Sequence, residues 1–216
     1  MNVHLEEFEK RFRAWVEAAC KEWEYPLPND EYYLKVDARL PAGLKENLGF
    51  GLAEGVIIAN GITFTLRDLP DSKGPYSWFS RYTSAKQPSP NWEYYIHAAE
   101  YVRLLQTLPD DDYSLVFEDS LMDIGIYRNG DLFVCCEVKE DAKKALSLLQ
   151  GIKKHQNKVD LDEPDRGNDP LRKAKYIVQQ KPQYLSLVAI GLRYELRVDF
   201  PEGKAFDLKE DVIPYI

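Results

Sequence analysis

Asp123, Glu137 and Lys139 are the residues of this sequence best placed, by type and spacing, to do chemistry. Residues 122–139 read Met-Asp-Ile-Gly-Ile-Tyr-Arg-Asn-Gly-Asp-Leu-Phe-Val-Cys-Cys-Glu-Val-Lys. They form one strand-like run with a lone aspartate, a turn, and a second apolar run ending in Glu-x-Lys. On the two-residue period of a strand, Phe133, Cys135, Glu137 and Lys139 share a face, and Leu132, Val134, Cys136 and Val138 share the other. Burying two charges at the end of so apolar a strand is costly unless they have partners. A divalent cation and a phosphate group would supply them. Mg²⁺ takes hard oxygen ligands and keeps several waters, so one or two carboxylates suffice. Asp123 and Glu137 are the expected carboxylate ligands of Mg²⁺ or Mn²⁺, with the Val138 carbonyl as a third ligand. Lys139 is expected to assist the attacking water and to neutralise the attacked phosphate.

Strand parity constrains the turn. A two-residue loop at Asn129-Gly130 with a regular ladder would pair Asp123 with Cys136, on the face opposite Glu137. Two devices avoid this: a three-residue loop, Arg128-Asn129-Gly130 with Gly130 left-handed, or a bulge elsewhere in either strand. One of the two is expected. The competing account makes Asp123 a strand end and Glu137–Lys139 a surface ion pair.

The surrounding elements follow from periodicity. Residues 3–24 predict an amphipathic helix with Leu5, Phe8, Phe12, Trp15, Val16, Ala19 and Trp23 at helical spacing, ended by Pro26 and Pro28. Tyr32–Leu40 alternates like a strand. Val56–Ala59 and Ile62–Leu66 flank Asn60-Gly61, a hairpin signal. Gly49-Phe50-Gly51 reads as a glycine-rich loop, and residues 70–90 as a long loop with at most a short helix. A helix is expected from Ser89-Pro90 to about Leu108. Strands at 113–117, 121–128 and 132–139 follow, then a helix at 140–156, a charged loop, a helix from Asp169-Pro170 to about Lys181, and strands at 184–190 and 194–200.

In this setting the chain resembles the PD-(D/E)XK nuclease superfamily. Met122-Asp123 stands where that family has Pro-Asp, Glu137-Val138-Lys139 stands as its Glu-x-Lys, and helix–three strands–helix–strand is its core order. The resemblance covers about residues 89–200. It implies an α/β (α+β) protein with a restriction-endonuclease-like core. That core is a mixed sheet of four or more strands flanked by helices, here over 89–216. Residues 1–88 would add an N-terminal helix and β-hairpin elaboration. The implied activity is metal-dependent hydrolysis of nucleic-acid phosphodiester bonds, with DNA as the expected substrate; a homodimer is one expected assembly. Family members often carry a further acid on the preceding helix. Glu100 is the choice here, with Glu93 second, and Glu100…Asp123…Glu137-x-Lys139 looks like the spacing of archaeal Holliday-junction resolvases. His97 is expected at the surface, its alternative being the manganese-binding histidine of RecB-like nucleases. Gln150 is a candidate second-helix contact with a surface role as default. The rival function is a non-catalytic nucleic-acid-binding or assembly protein on the same fold.

Charge bears on the partner. The net charge is −8, which by itself argues against nucleic acid. Residues 141–181, however, carry ten Lys or Arg against six Asp or Glu, a net of +4 that leaves −12 for the rest. Lys143, Lys144 and Lys173 on this stretch are the expected backbone contacts. The aromatic group Trp78, Phe79, Tyr82, Trp92, Tyr94 and Tyr95 is read as packing, with base stacking as the alternative. His4 and His155 lack ligand-spaced neighbours, so no zinc site is expected. The three cysteines are expected to be reduced. No apolar run is long enough for a membrane span, and the acidic beginning lacks signal-peptide features, so the expected location is cytoplasmic.

Overall fold

The computed structural model describes residues 2–70, 73–109 and 112–214. The chain divides into two compact units, Met1–Arg103 and Leu104–Ile216, and the division falls inside a helix. Among the described residues there are six helices and a six-stranded mixed sheet, an α+β arrangement. No described helix is long and apolar enough to cross a membrane.

The first unit opens with helix α1 (Val3–Trp23), capped by Asn2, whose side chain accepts the His4 N–H. Its buried stripe is Phe8, Phe12, Trp15, Val16 and Ala19, as the periodicity predicts. Residues 32–40 are not a strand. They lie in helix α2 (Asp30–Arg39), because the Asn29 side chain caps it at Tyr32 N–H, with Asp30 and Glu31 in the first turn. Tyr32 and Val36, four apart, supply its buried side. Gly49-Phe50-Gly51 is not a loop either; it lies within helix α3 (Ala42–Ala53). A Cβ at position 49 would sit 1.8 Å from the His4 carbonyl oxygen, so glycine there permits α1 and α3 to touch through backbone.

The hairpin is present as strands β1 (Ile57–Asn60) and β2 (Thr63–Leu66), with Gly61-Ile62 as its turn. The 70–90 region holds short strands β3 (Tyr76–Ser77), β4 (Phe79–Tyr82) and β5 (Gln87–Pro90). Ser89-Pro90 therefore ends a strand instead of opening a helix. Asn91 turns the chain: its side-chain amide donates to the Ser77 carbonyl and its own carbonyl accepts the Tyr94 N–H. Helix α4 (Trp92–Thr107) follows. Of the aromatic group, Trp78, Phe79 and Tyr95 are core, Trp92 and Tyr94 are half-buried and Tyr82 is exposed; Trp78 lies between the Phe64 and Trp15 rings, at centroid distances of 3.9 and 4.8 Å.

The second unit contains β6 (Tyr113–Asp119), β7 (Met122–Arg128), β8 (Asp131–Val138), α5 (Ala142–Lys153), α6 (Asp169–Gln180), β9 (Tyr184–Ala189), β10 (Leu192–Asp199) and β11 (Asp207–Glu210). The sheet order is β11-β10-β9-β8-β7-β6. All neighbours are antiparallel except β8 and β9, which are parallel and joined through α5 and α6. Leu148, Leu149 and Ile152 of α5 and Ala174, Tyr176 and Ile177 of α6 pack with Cys135, Leu185, Leu187 and Leu196 of the sheet. Strand β11 has no counterpart in the sequence reading. Cys20, Cys135 and Cys136 are all buried and free.

Candidate functional site

The β7–β8 hairpin is built by a bulge. Arg128 pairs with Asp131 across a two-residue turn, with Asn129 and Gly130 both left-handed (φ 52° and 87°). That turn suits the right-handed twist of a hairpin. Tyr127 pairs with Leu132, but Ile126 pairs with Val134, so Phe133 is an extra residue in β8. The ladder then continues through Gly125 with Cys135 and Ile124 with Cys136. One step further sets Asp123 across from Glu137. Of the two devices that strand parity demands, the molecule uses the bulge. Phe133 is held there by ring contacts to Tyr113 and Tyr184, at 5.8 and 5.3 Å.

Glu137 is only 2% exposed. Its Oε1 accepts the Lys139 ammonium at 2.7 Å and its Oε2 accepts the Lys173 ammonium at 2.6 Å. The Glu137–Lys139 pair of the competing account is thus present, but its carboxylate is buried and not at the surface. Burial pushes the Glu137 carboxyl up to about 7, and the Asp123 charge adds to that shift, while Lys173 and Lys139 oppose it. The repulsion from Asp123 identifies the two carboxylates as electrostatic neighbours.

Asp123 Oδ2 accepts the backbone N–H of Val138 at 2.6 Å. The Val138 carbonyl accepts from Lys139 at 2.9 Å, so the third expected ligand already faces the same ammonium. Sequence reasoning missed Glu118. The β6–β7 ladder pairs Phe117 with Ile124 and Asp119 with Met122, which sets Glu118 across from Asp123. Carboxylate oxygens of the two lie within 4.8 Å of one another. Counting across the short Ser120-Leu121 turn would have found it. Below this corner, Asp119 Oδ2 accepts hydroxyl hydrogen bonds from Tyr127 at 2.8 Å and Tyr176 at 3.2 Å.

The other sequence candidates are placed as follows. Lys143 and Lys144 are exposed at the start of α5, where Asp141 caps the helix and Lys144 pairs with Glu140. Lys173 is not on the outer face of α6: it is 7% exposed, donates to the Leu121 carbonyl, and holds Glu137. Glu100 lies buried on α4 with its two oxygens on the Arg103 guanidinium at 2.9 and 3.1 Å. His97, expected at the surface, is 1% exposed; α4 carries it within a run of buried residues from Tyr95 to Val102. Gln150 is exposed.

The donor set suits a hard divalent ion. Asp123 and Glu118 offer neighbouring carboxylate oxygens, and Glu137 is raised partly by Asp123, a repulsion that a cation between those two would relieve. No protein-family model, curated protein or solved structure matches the chain.

Proposed function

We propose that the second unit is a metal-dependent nuclease core of the PD-(D/E)XK type, hydrolysing phosphodiester bonds of nucleic acid, with DNA as the first substrate to try. One observation carries this reading: the Phe133 bulge returns Asp123 to a position across from Glu137, two residues before Lys139. A bulge that restores register at this point is a feature expected near functional sites. The element order α4, β6–β8, α5–α6, β9 supports the same reading.

A bound Mg²⁺ or Mn²⁺ would polarise the phosphate and lower the pKa of a coordinated water. The chain's own groups do the rest. Asp123 and Glu137 would hold the ion. Glu118, whose carboxylate lies within 4.8 Å of that of Asp123, would be a third carboxylate, since Glu100 is paired with Arg103. The Lys139 ammonium neutralises charge that builds on the attacked phosphate. Exposed Lys143 and Lys144 contact the nucleic-acid backbone and position it without reading sequence.

The test is cleavage of duplex DNA, single-stranded DNA and RNA by the purified protein with Mg²⁺ or Mn²⁺. Cutting should vanish with a chelator and with Asp123→Asn. Intact substrates of every form, at saturating ion, would falsify the proposal. One observation favours a second reading, a non-catalytic nucleic-acid-binding or assembly protein on this fold: both Glu137 oxygens already face ammonium groups. Salt-dependent DNA binding without any Mn²⁺ uptake would select it.

A further inference from the structure

We propose that Lys173 is a cation built into this site, one that occupies the Glu137 carboxylate in the ion-free protein and must release Oε2 for a divalent ion to bind. The inference rests on reading Asp123 and Glu137 as ligands of that ion.

Each oxygen of Glu137 faces a different ammonium, Lys139 on Oε1 and Lys173 on Oε2. The two lysines are not equivalent. Lys139 lies two residues on, just past the end of β8, and also bonds the Val138 carbonyl, so it stays beside Glu137. Lys173 reaches in from α6 on a flexible four-carbon stem. It has a second acceptor, the Leu121 carbonyl, so leaving Glu137 does not orphan its charge.

Burial and charge give the reason for such a residue. The Lys173 and Glu137 side chains are 8% and 2% exposed. Neighbouring α6 positions Leu171, Ala174 and Ile177 are fully buried and apolar, so an apolar residue at 173 would extend the packed stripe. Instead the position carries a charge. Without it, Lys139 alone would face the Glu137 carboxylate. A buried carboxylate lacking a partner is expensive, and Lys173 supplies that partner when no ion does. The same ammonium repels a divalent ion at Oε2, so it lowers ion affinity and makes uptake depend on moving Lys173.

Isothermal titration of the full chain with Mn²⁺, at fixed pH, tests this without reference to activity. Lys173→Met removes the charge at similar length. Lys173→Gln removes it while keeping a donor for Glu137 and the Leu121 carbonyl, and serves where the Met variant does not fold. Both should bind Mn²⁺ about tenfold more tightly than the parent, or more. The gain should disappear when Glu137→Gln is added. Binding by the Gln variant alone, with none detectable in the parent, also supports the proposal. Unchanged or weaker affinity in a folded variant overturns it, as does a gain that survives Glu137→Gln or the absence of Mn²⁺ binding in all forms. Failure of the nuclease reading looks different: the affinity gain is present, yet Mn²⁺-saturated parent protein cuts no nucleic acid.

Discussion

The Asp123 carboxylate accepts the Val138 N–H at 2.6 Å, tying β7 to β8 one step beyond their last ladder pair, Ile124 with Cys136. This bond separates two roles of one side chain. Asp123→Ala leaves the Val138 N–H without that acceptor and should cost about 1–3 kcal/mol. Asp123→Asn keeps an acceptor and loses only the charge, so its stability should stay near the parent's. Both should lose cleavage by about a hundredfold or more, the scale of removing one electrostatic catalytic group. Urea unfolding and a plasmid-nicking assay, run side by side, check the pair. An Asn variant that cuts at the parent rate removes Asp123 from the chemistry.

Glu137 makes stability fall as pH rises. Burial, then Asp123, lifts its carboxyl from 4.5 to about 7 in the folded chain. Between those values the folded state holds a proton that the unfolded chain has released. Its contribution is therefore fully present below about pH 4.5 and is lost progressively toward pH 7, on the order of 3 kcal/mol in all. Glu137→Gln removes the titration and should flatten that part of the curve. Melting temperature against pH from 4 to 8, for both proteins, gives the answer; parallel curves would locate the proton elsewhere.

Some of this architecture is legible in the residues and some is not. The β7–β8 hairpin is legible because period-two apolar runs flank Asn129-Gly130, and because strand parity demands either a three-residue loop or a bulge elsewhere if Asp123 and Glu137 are to meet. Which residue bulges is not legible. Phe133 takes that place through contacts to Tyr113 and Tyr184, one 20 residues before it and the other 51 after it. Residues 32–40 mislead because Tyr32 and Val36 satisfy both an alternating and a four-residue period; the Asn29 cap decides for helix. Gly49 and Gly51 suggest a loop because local propensity disfavours glycine in helices; the backbone contact with His4 explains the first and the close Ile57 and Val102 side chains the second. Lys173 reads as a surface charge, since the three-dimensional path that brings α6 to Glu137 leaves no local trace.

Gly125 should tolerate no side chain. A Cβ there would lie 2.0 Å from Asp119 Oδ2, the atom that accepts both the Tyr127 and Tyr176 hydroxyls. Gly125→Ala must therefore push the Asp119 carboxylate off at least one tyrosine. The cost should be about 1–3 kcal/mol, that of an overpacked core. Tyr127 reports the change directly. Burial and Asp119 together raise its hydroxyl to about 12, and displacing the carboxylate should lower that value. Ultraviolet titration of the tyrosines, with thermal melts, measures both. A variant with parent stability and an unmoved titration would mean the corner relaxes around the methyl group.

Lys139 and Lys144 should fail in different ways. The Lys139 ammonium sits on Glu137 Oε1 and the Val138 carbonyl, at the corner where a phosphate would be attacked. Lys139→Met leaves Glu137 with Lys173, so the fold should survive, while single-turnover cleavage falls by about a hundredfold or more at saturating Mg²⁺. Lys139→Arg should not restore it, because a planar guanidinium cannot take the place of a compact ammonium between those two oxygens. Lys144, exposed on α5 beside Glu140, should act on binding alone. Lys144→Ala should weaken DNA binding alike for all sequences and reduce the slope of log K against log salt by about 1. Its cleavage rate at saturating DNA should match the parent's. Loss of rate in the Lys144 variant, or retained rate in the Lys139 variant, would reverse the assignment of the two lysines.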